Sequence, residues 1–291
     1  MKKILQYLFE HKTLTRHAAK ELLLSMSAGA YNDSELASLM TVFLMRSITI
    51  AELQGFRDAL LELAVPVNLG THDLLDIVGT GGDGKNTFNI STLSCFIVAG
   101  AGQKVAKHGN YGASTISGSS NVMEQLGYVF KNDGNALQKE LDAANICFLH
   151  APLFHPALKL VGPIRKNLGV RTFFNMLGPL VNPAKPAHQL IGVYSLEMAR
   201  IYHYLLQEEG INYTIIHGLD GYDEISLTSD TKIFTAKGER IVSANELGKR
   251  IVFPEDLAGG DTVEASAQIF LKIIKGEGTM AQNAVVLANA A

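Results

Sequence analysis

A short apolar run at residues 74–78 breaks into Gly79-Thr80-Gly81-Gly82-Asp83-Gly84, and a helix-forming run begins at Ser91. Four glycines between a strand pattern and a helix pattern constrain the fold more than any other stretch of this chain. They predict a buried strand that ends in a tight loop, after which the chain turns back as a helix. The alternation continues downstream. Residues 91–101 read as helix, 104–106 as strand, 138–144 as helix, 146–149 as strand, 190–194 as strand, 197–208 as helix and 213–217 as strand. Asp261-Thr262-Val263-Glu264 caps a further helix that Gly276 stops. Strands alternating with helices predict a mostly parallel sheet covered by helices.

Residues 1–65 carry no strand signal. Ile4, Leu5, Leu8 and Phe9, and then Ala18, Leu22 and Leu23, recur at helical spacing. Asn32-Asp33-Ser34-Glu35 and Thr49-Ile50-Ala51-Glu52 both have the form of a capping box, and Gly29 suits a helix C-terminus. The expected class is α/β. A small all-helical domain is expected over residues 1–66, joined by helices from about residue 163 to 185, beside a larger α/β domain over 70–291 with a mostly parallel central sheet.

The net charge is −3, which argues against a chain held to nucleic acid mainly by neutralising phosphates. No apolar window approaches the roughly 18 residues of a membrane span. Gln6 and Glu10 interrupt the N-terminal apolar run, so a cleaved leader is not expected. Cys95 and Cys147 lie in apolar runs and read as reduced core thiols of a cytoplasmic protein.

The chemistry concentrates in loops that follow strands. Glycines let backbone N–H groups approach an anion, and a helix N-terminus adds its positive end. Asn89, Ser91 and Thr92 put short polar side chains at that terminus. By itself the loop is equally well read as an ordinary turn, and it fits neither the Walker A nor the GxGxxG pattern. A second strand-to-loop transition, Lys107-His108-Gly109-Asn110, runs into a segment rich in small hydroxyl residues through Asn121. Two such loops favour a ligand carrying phosphate and sugar hydroxyls over a flexible surface loop. Asp223-Glu224 follows the strand at 213–217 and is read either as a solvated acidic turn or as a Mg²⁺ site. Arg165 and Arg171 are read either as surface ion pairs or as a fork for a substrate carboxylate.

Taken together, GTGGD at 79–83, TFNIST at 87–92, KHGN at 107–110, SGS at 117–119, RTFFNMLGPLVNP at 171–183 and DGYDE at 220–224 resemble the anthranilate phosphoribosyltransferase family. The order and spacing match over nearly the whole chain. The resemblance implies a nucleoside-phosphorylase-like fold and transfer of phosphoribose from 5-phosphoribosyl pyrophosphate (PRPP) to the amine of anthranilate. It places the activity in the tryptophan branch and implies a homodimer joined through the helical domain. Carried over residue by residue, it makes Gly79, Gly82, Asp83, Thr87, Asn89, Ile90, Ser91 and Thr92 PRPP contacts. Lys107, His108, Gly109, Asn110, Ser114, Thr115 and Ser119 would complete that site. Gly79, Asn110 and Arg165 would contact anthranilate. Ser91, Asp223 and Glu224 would hold Mg²⁺, with two ions expected. No side chain is implied as nucleophile or obligatory base; Lys107, His108 and the metal would stabilise the transition state.

The chain departs from the family pattern at Tyr111, where an arginine is common, and at Asn121, where an aspartate is common. Family members also run several helical turns beyond the counterpart of Ala291. Rival readings are a related transferase using another aromatic amine, a pyrimidine-nucleoside phosphorylase, and a non-catalytic nucleic-acid-binding paralogue. The last would be expected to lose KHGN or the acidic pair and to gain a basic face.

Overall fold

The computed structural model describes residues 1–70, 73–112, 115–247 and 251–291. In chain order the elements are α1 (Lys2–Phe9), α2 (Arg16–Ser27), α3 (Asp33–Met45), α4 (Ile50–Glu62), β1 (Leu75–Gly79), α5 (Ile90–Gly100), β2 (Val105–Gly109), α6 (Ser119–Gln125), α7 (Gly134–Ala144), β3 (Ile146–His150), α8 (Ala151–Phe154), α9 (Gly162–Leu168), β4 (His188–Gly192), α10 (Leu196–Gln207), β5 (Asn212–Gly218), β6 (Thr231–Thr235), β7 (Gly238–Val242), α11 (Val263–Ile274) and α12 (Met280–Ala290). They fall into two compact units. Met1–Pro66 and Pro152–Pro183 form the first, Val67–Ala151 and Ala184–Ala291 the second.

The first unit is helical. Both expected capping boxes are present, with Asn32 and Glu35 closing α3 and Thr49 and Glu52 closing α4. Gly29 follows α2 at φ +74°, a left-handed turn that glycine takes without strain. Gly55 lies where α4 meets α2, and a Cβ there would stand 2.2 Å from the Arg16 carbonyl oxygen. The crossing is thus set by the missing side chain. Phe173, from the RTFF segment, stacks on Phe56 with ring centroids 4.6 Å apart and meets Phe43 at 5.0 Å. That segment is therefore core as well as motif. Of the apolar residues that pattern α1, Leu8 is buried, whereas Phe9 is 60 % exposed.

Glu52 is fully buried in this unit. Its carboxylate accepts two hydrogen bonds from Arg46, at 2.6 and 3.0 Å, and others from the Leu14 and Thr49 N–H groups. Burial alone would raise the carboxyl. Arg46 and the backbone donors outweigh it and hold the group below its ordinary value. One carboxylate thus ties the entry to α2, the end of α3 and the start of α4.

The second unit is built on one sheet of seven strands in the order β3-β2-β1-β4-β5-β6-β7. The five strands β1 to β5 pair in parallel, and β6 and β7 add an antiparallel hairpin. Strand and helix bounds at 75–79, 90–100, 146–150 and 196–207 fall within two residues of expectation. The hairpin and α6 carry no recognised sequence signal. Ile77, Cys95, Val105, Met123 and Phe148 pack in one core cluster against the sheet. A larger one gathers Phe88, Ile90, Leu93, Ile216, Phe270 and Val285 under α11 and α12. Both cysteines are free and buried, and burial pushes the Cys95 thiol up to about 11 and Cys147 to about 12. Among the described residues no helix is long and apolar enough to cross a membrane.

Candidate active site

The strand order places β1 between β2 and β4, and loops leave the carboxyl ends of β1, β2 and β5 at one edge of the sheet. Open α/β sheets bind ligands at that edge. The loop after β1 turns through Gly81, Gly82 and Gly84 at φ +63°, +83° and +74°. It reaches α5 at Asn89, which stands at the N-cap and donates from Nδ2 to the Ser117 carbonyl at 3.1 Å. The glycine loop is thereby tied to the loop that follows β2.

The acidic pair closes on both. The Gly81 N–H donates to Asp223 Oδ2 at 2.8 Å. The Ser91 N–H, in the first turn of α5, donates to Glu224 Oε1 at 3.1 Å, and the Thr87 hydroxyl lies 3.3 Å from Glu224 Oε2. The helix N-terminus expected to attract an anion thus already faces a carboxylate of the chain. Two glycines permit this. A Cβ on Gly79 would stand 2.5 Å from Asp223 Oδ2, and one on Gly192 only 1.6 Å from the Asp223 carbonyl oxygen. Gly192 has no motif to announce it. Neither does Asn289 in α12, whose amide accepts from the Ile225 N–H and donates to the Ile225 and Val285 carbonyls at 2.9 Å each. The last turn of α12 therefore fixes the residue next to Glu224.

Burial and mutual repulsion set the electrostatics of this corner. Burial, and then the nearby Asp83 charge, push Asp223 up to about 7 against the Gly81 hydrogen bond. Burial, with Asp223 and Asp83 beside it, raises Glu224 well above the usual carboxylate range. Asp83 Oδ2 is buried with no hydrogen-bond partner among the described residues. Three carboxylates with one stranded oxygen suit a hard cation. Among the described residues, no three acidic, histidine or cysteine side chains are grouped to enclose an ion on their own. A Mg²⁺ ion here would be completed by substrate oxygens and water, as is usual for that ion.

The β2 loop closes on itself. Asn121 Oδ1 accepts from the Gly112 N–H at 2.9 Å and the Gly118 N–H at 3.0 Å. A Cβ on Gly118 would lie 2.3 Å from the Gly112 nitrogen. Asn121, the departure from aspartate, keeps the acceptor and gives up only the charge. Tyr111, the departure from arginine, hydrogen-bonds through its hydroxyl to Glu124 at 2.7 Å and meets the His150 ring edge-on at 4.8 Å. Ser119 Oγ donates to the Asn110 carbonyl at 3.3 Å and leaves no room for a side chain on Gly109.

The remaining expected residues are placed as follows. Ile90 and Thr92 are buried, and Ile90 belongs to the core, so only its backbone faces the loop. Lys107 and His108 are 2 % and 4 % exposed. Gly82 lies buried in the glycine turn, while Thr115 is half-buried. Ser114 lies outside the described residues. Arg165 belongs to the first unit. It is half-buried, donates to Asn175 Oδ1 at 3.3 Å and sits 5.5 Å over the Phe174 ring. Burial lowers its pKa, and no ion pair with it is found among the described residues.

Residues 2–64 match the helical bundle domain of the glycosyl transferase family and residues 71–291 match its a/b domain. Anthranilate phosphoribosyltransferase from Christiangramia forsetii is 58 % identical over 290 residues, covering 100 % of this chain and 88 % of the relative. That of Bacteroides fragilis is 55 % identical over 291 residues, with the same shares. The crystal structure of the Thermus thermophilus enzyme superposes with a TM-score of 0.90 at 33 % identity, over 98 % of this chain and 86 % of that one. The Saccharomyces cerevisiae enzyme in complex with PRPP and Mg gives 0.84 at 27 % identity, over 94 % and 80 %. With both domain models matched and these relatives aligned along its whole length, the chain belongs to the anthranilate phosphoribosyltransferase family of glycosyl transferases.

Proposed function

We propose that the chain transfers the 5-phosphoribosyl group of PRPP to the amine of anthranilate in the presence of Mg²⁺, releasing pyrophosphate, as a step of tryptophan biosynthesis. One observation carries the reading. Asp223 and Glu224 are drawn onto the glycine loop and the start of α5, beside an Asp83 oxygen that has no partner among the described residues. A buried acidic corner set against two anion-binding loops is balanced when a divalent ion joins it to a polyphosphate.

The amine of anthranilate is neutral and nucleophilic near pH 7. It attacks C1 of the ribose, the C1–O bond to pyrophosphate breaks with its electron pair, and the amine gives up a proton to water. The chain's work is alignment and charge balance. Gly79, Gly82, Asp83, Thr87, Asn89, Ser91 and Thr92 line the first loop and helix start. In our reading Gly109, Asn110, Thr115 and Ser119, with Ser114, complete the PRPP site at the second, and Lys107 and His108 belong to it through the end of β2 that they form. Asp223, Glu224 and Ser91 would hold Mg²⁺, with two ions in our reading, and bound metal would neutralise the leaving pyrophosphate. In our reading Gly79, Asn110 and Arg165 would contact anthranilate, and Arg165 would select for its carboxylate.

The helical unit also carries an apolar groove of about 450 Å³ lined by Leu8, Phe9, Val42 and Met45, with Met45 83 % exposed. We assign that face to a second copy of the chain, giving a homodimer, and place the enzyme in the cytoplasm, where two buried free thiols stay reduced. Light scattering that returned a monomer at micromolar concentration would remove the first assignment.

The central test is loss of anthranilate fluorescence. It should require PRPP and Mg²⁺ together and stop on adding EDTA. Arg165→Ala should raise KM for anthranilate by an amount corresponding to about 2–5 kcal/mol, with KM for PRPP little changed. Fluorescence that stays constant with all components present would sink the reading.

A further inference from the structure

The sheet is unevenly zipped. β1 is in register with β4 at all five residues from Leu75 to Gly79, and β2 with β3 at all five from Val105 to Gly109. Between β1 and β2 the register holds at one pair, Leu75 and Val105. In a parallel ladder continued from that pair, the bonds that follow would run from the Ile77 N–H to the Ala106 carbonyl and then from the His108 N–H to the Ile77 carbonyl. Both groups of the second bond meet a side chain across the seam. The His108 N–H donates to Asp76 Oδ1 at 3.2 Å, and the Ile77 carbonyl accepts from Lys107 Nζ at 2.7 Å.

Both side chains are deep in the molecule: Asp76 is fully buried and Lys107 is 2 % exposed. Central parallel strands are normally near-continuous apolar runs, and a buried charge is costly unless hydrogen-bonded. A carboxylate and an ammonium persist here because each is hydrogen-bonded to a backbone group of the other strand. The cost has a geometric return. Past the seam β1 runs into the glycine loop and β2 into the loop that starts at Asn110, so whatever bridges the strands here sets the spacing of the two loops.

We propose that Asp76 is a positioning residue for PRPP. With Lys107 it bridges β1 and β2 and so fixes the span across which the two loops grip the ligand. The inference rests on the functional reading above. Asp76 touches no substrate in it; the residue acts through the His108 backbone and the strand end.

The test is titration calorimetry of PRPP in Mg²⁺, paired with thermal melting, on the native chain and three variants. Asp76→Ala is expected to bind PRPP at least about tenfold more weakly, since a shifted loop misplaces several contacts at once. Asp76→Asn keeps an oxygen acceptor for the His108 N–H and is expected to stay within about threefold of the native chain. Ile146→Ala trims the same core cluster at the far end of β3, so it should lower the melting temperature and leave affinity within about twofold. Asp76→Ala that binds as tightly as the native chain would overturn the proposal, as would Asp76→Asn that binds as weakly as Asp76→Ala. Should Asp76→Ala fail to fold, Asp76→Asn decides alone: the His108 amide should remain slow to exchange and affinity should hold, and a folded Asp76→Asn with a loss of about tenfold or more refutes the proposal. A native chain that binds no PRPP removes the functional reading and this inference with it. Native binding beside an unimpaired Asp76→Ala removes this inference only.

Discussion

Gly192→Ala tests how the acidic pair is held. The added Cβ would lie 1.6 Å from the Asp223 carbonyl oxygen and 2.7 Å from its carbonyl carbon. To regain an ordinary contact of about 3.5 Å, one side must move by about 2 Å. β4 cannot yield readily, because it is paired with β1 on one edge and β5 on the other across five residues each. The segment after β5 must move, taking Asp223 from the Gly81 N–H and Glu224 from the Ser91 N–H. Overpacking costs about 1–3 kcal/mol, and each hydrogen bond to a charged group contributes about 1.5–3 kcal/mol. Part of that loss is offset because the released carboxylates regain water. The expected outcome is a destabilisation of about 2–4 kcal/mol in urea unfolding, together with a several-fold rise in the Mg²⁺ concentration needed for half-maximal activity. The second measurement discriminates, because a defect confined to packing would leave the metal requirement alone. A Gly192→Ala protein with native stability and native Mg²⁺ dependence would refute the claim that Gly192 sets the acidic pair.

Glu52→Ala leaves Arg46 buried without its carboxylate and the α4 N-terminus without its capping box, and should cost about 3–5 kcal/mol in chemical denaturation. Asn289→Ala strands the Ile225 N–H and carbonyl in the core and should cost about 1–3 kcal/mol for each group left unpaired, read from the same unfolding curves. The acidic corner makes the metal-free chain sensitive to pH. Asp223 is raised from 3.8 to about 7, so over that interval the folded chain keeps a proton that the unfolded chain has released. Its contribution to stability is therefore complete below about pH 4 and is lost as the pH climbs towards about 7. In EDTA the melting temperature should fall between about pH 5 and about pH 7.5, and Mg²⁺ should raise it more at the upper value. A melting temperature that rises over that interval in EDTA, or a Mg²⁺ effect that is larger at the lower pH, would contradict the assignment.

Much of the fold is legible in the sequence because it is local. A capping box spans a few neighbouring residues, so Asn32 with Glu35 and Thr49 with Glu52 declare themselves. The break from helical periodicity to alternating runs near residue 70 reflects side-chain burial at periods of 3.6 and 2, which any sequence carries openly. The β6–β7 hairpin is not announced in this way, because Thr231–Thr235 and Gly238–Val242 mix charged and apolar residues at the sheet edge, with no type I′ turn pair between them. Motif position groups Ile90 and Thr92 with the ligand contacts, and the structure buries both side chains. Position in a motif does not tell which way a side chain points.

What the sequence determined by itself was the set of elements and the chemistry they can present: helices first, then strands ending in glycine, hydroxyl and acidic loops. Tertiary structure alone decided which of these meet. Asp223 finds the Gly81 N–H 142 residues away, and it can do so because Gly79 and Gly192 each lack a side chain. Asp76 and Lys107 look like ordinary charged residues in a row of letters; only the tertiary structure shows that each hydrogen-bonds a backbone group across the seam between β1 and β2. Residues far apart in sequence are brought together by the whole core, so their pairing is a property of packing, whereas caps and periodicity belong to a few neighbouring residues.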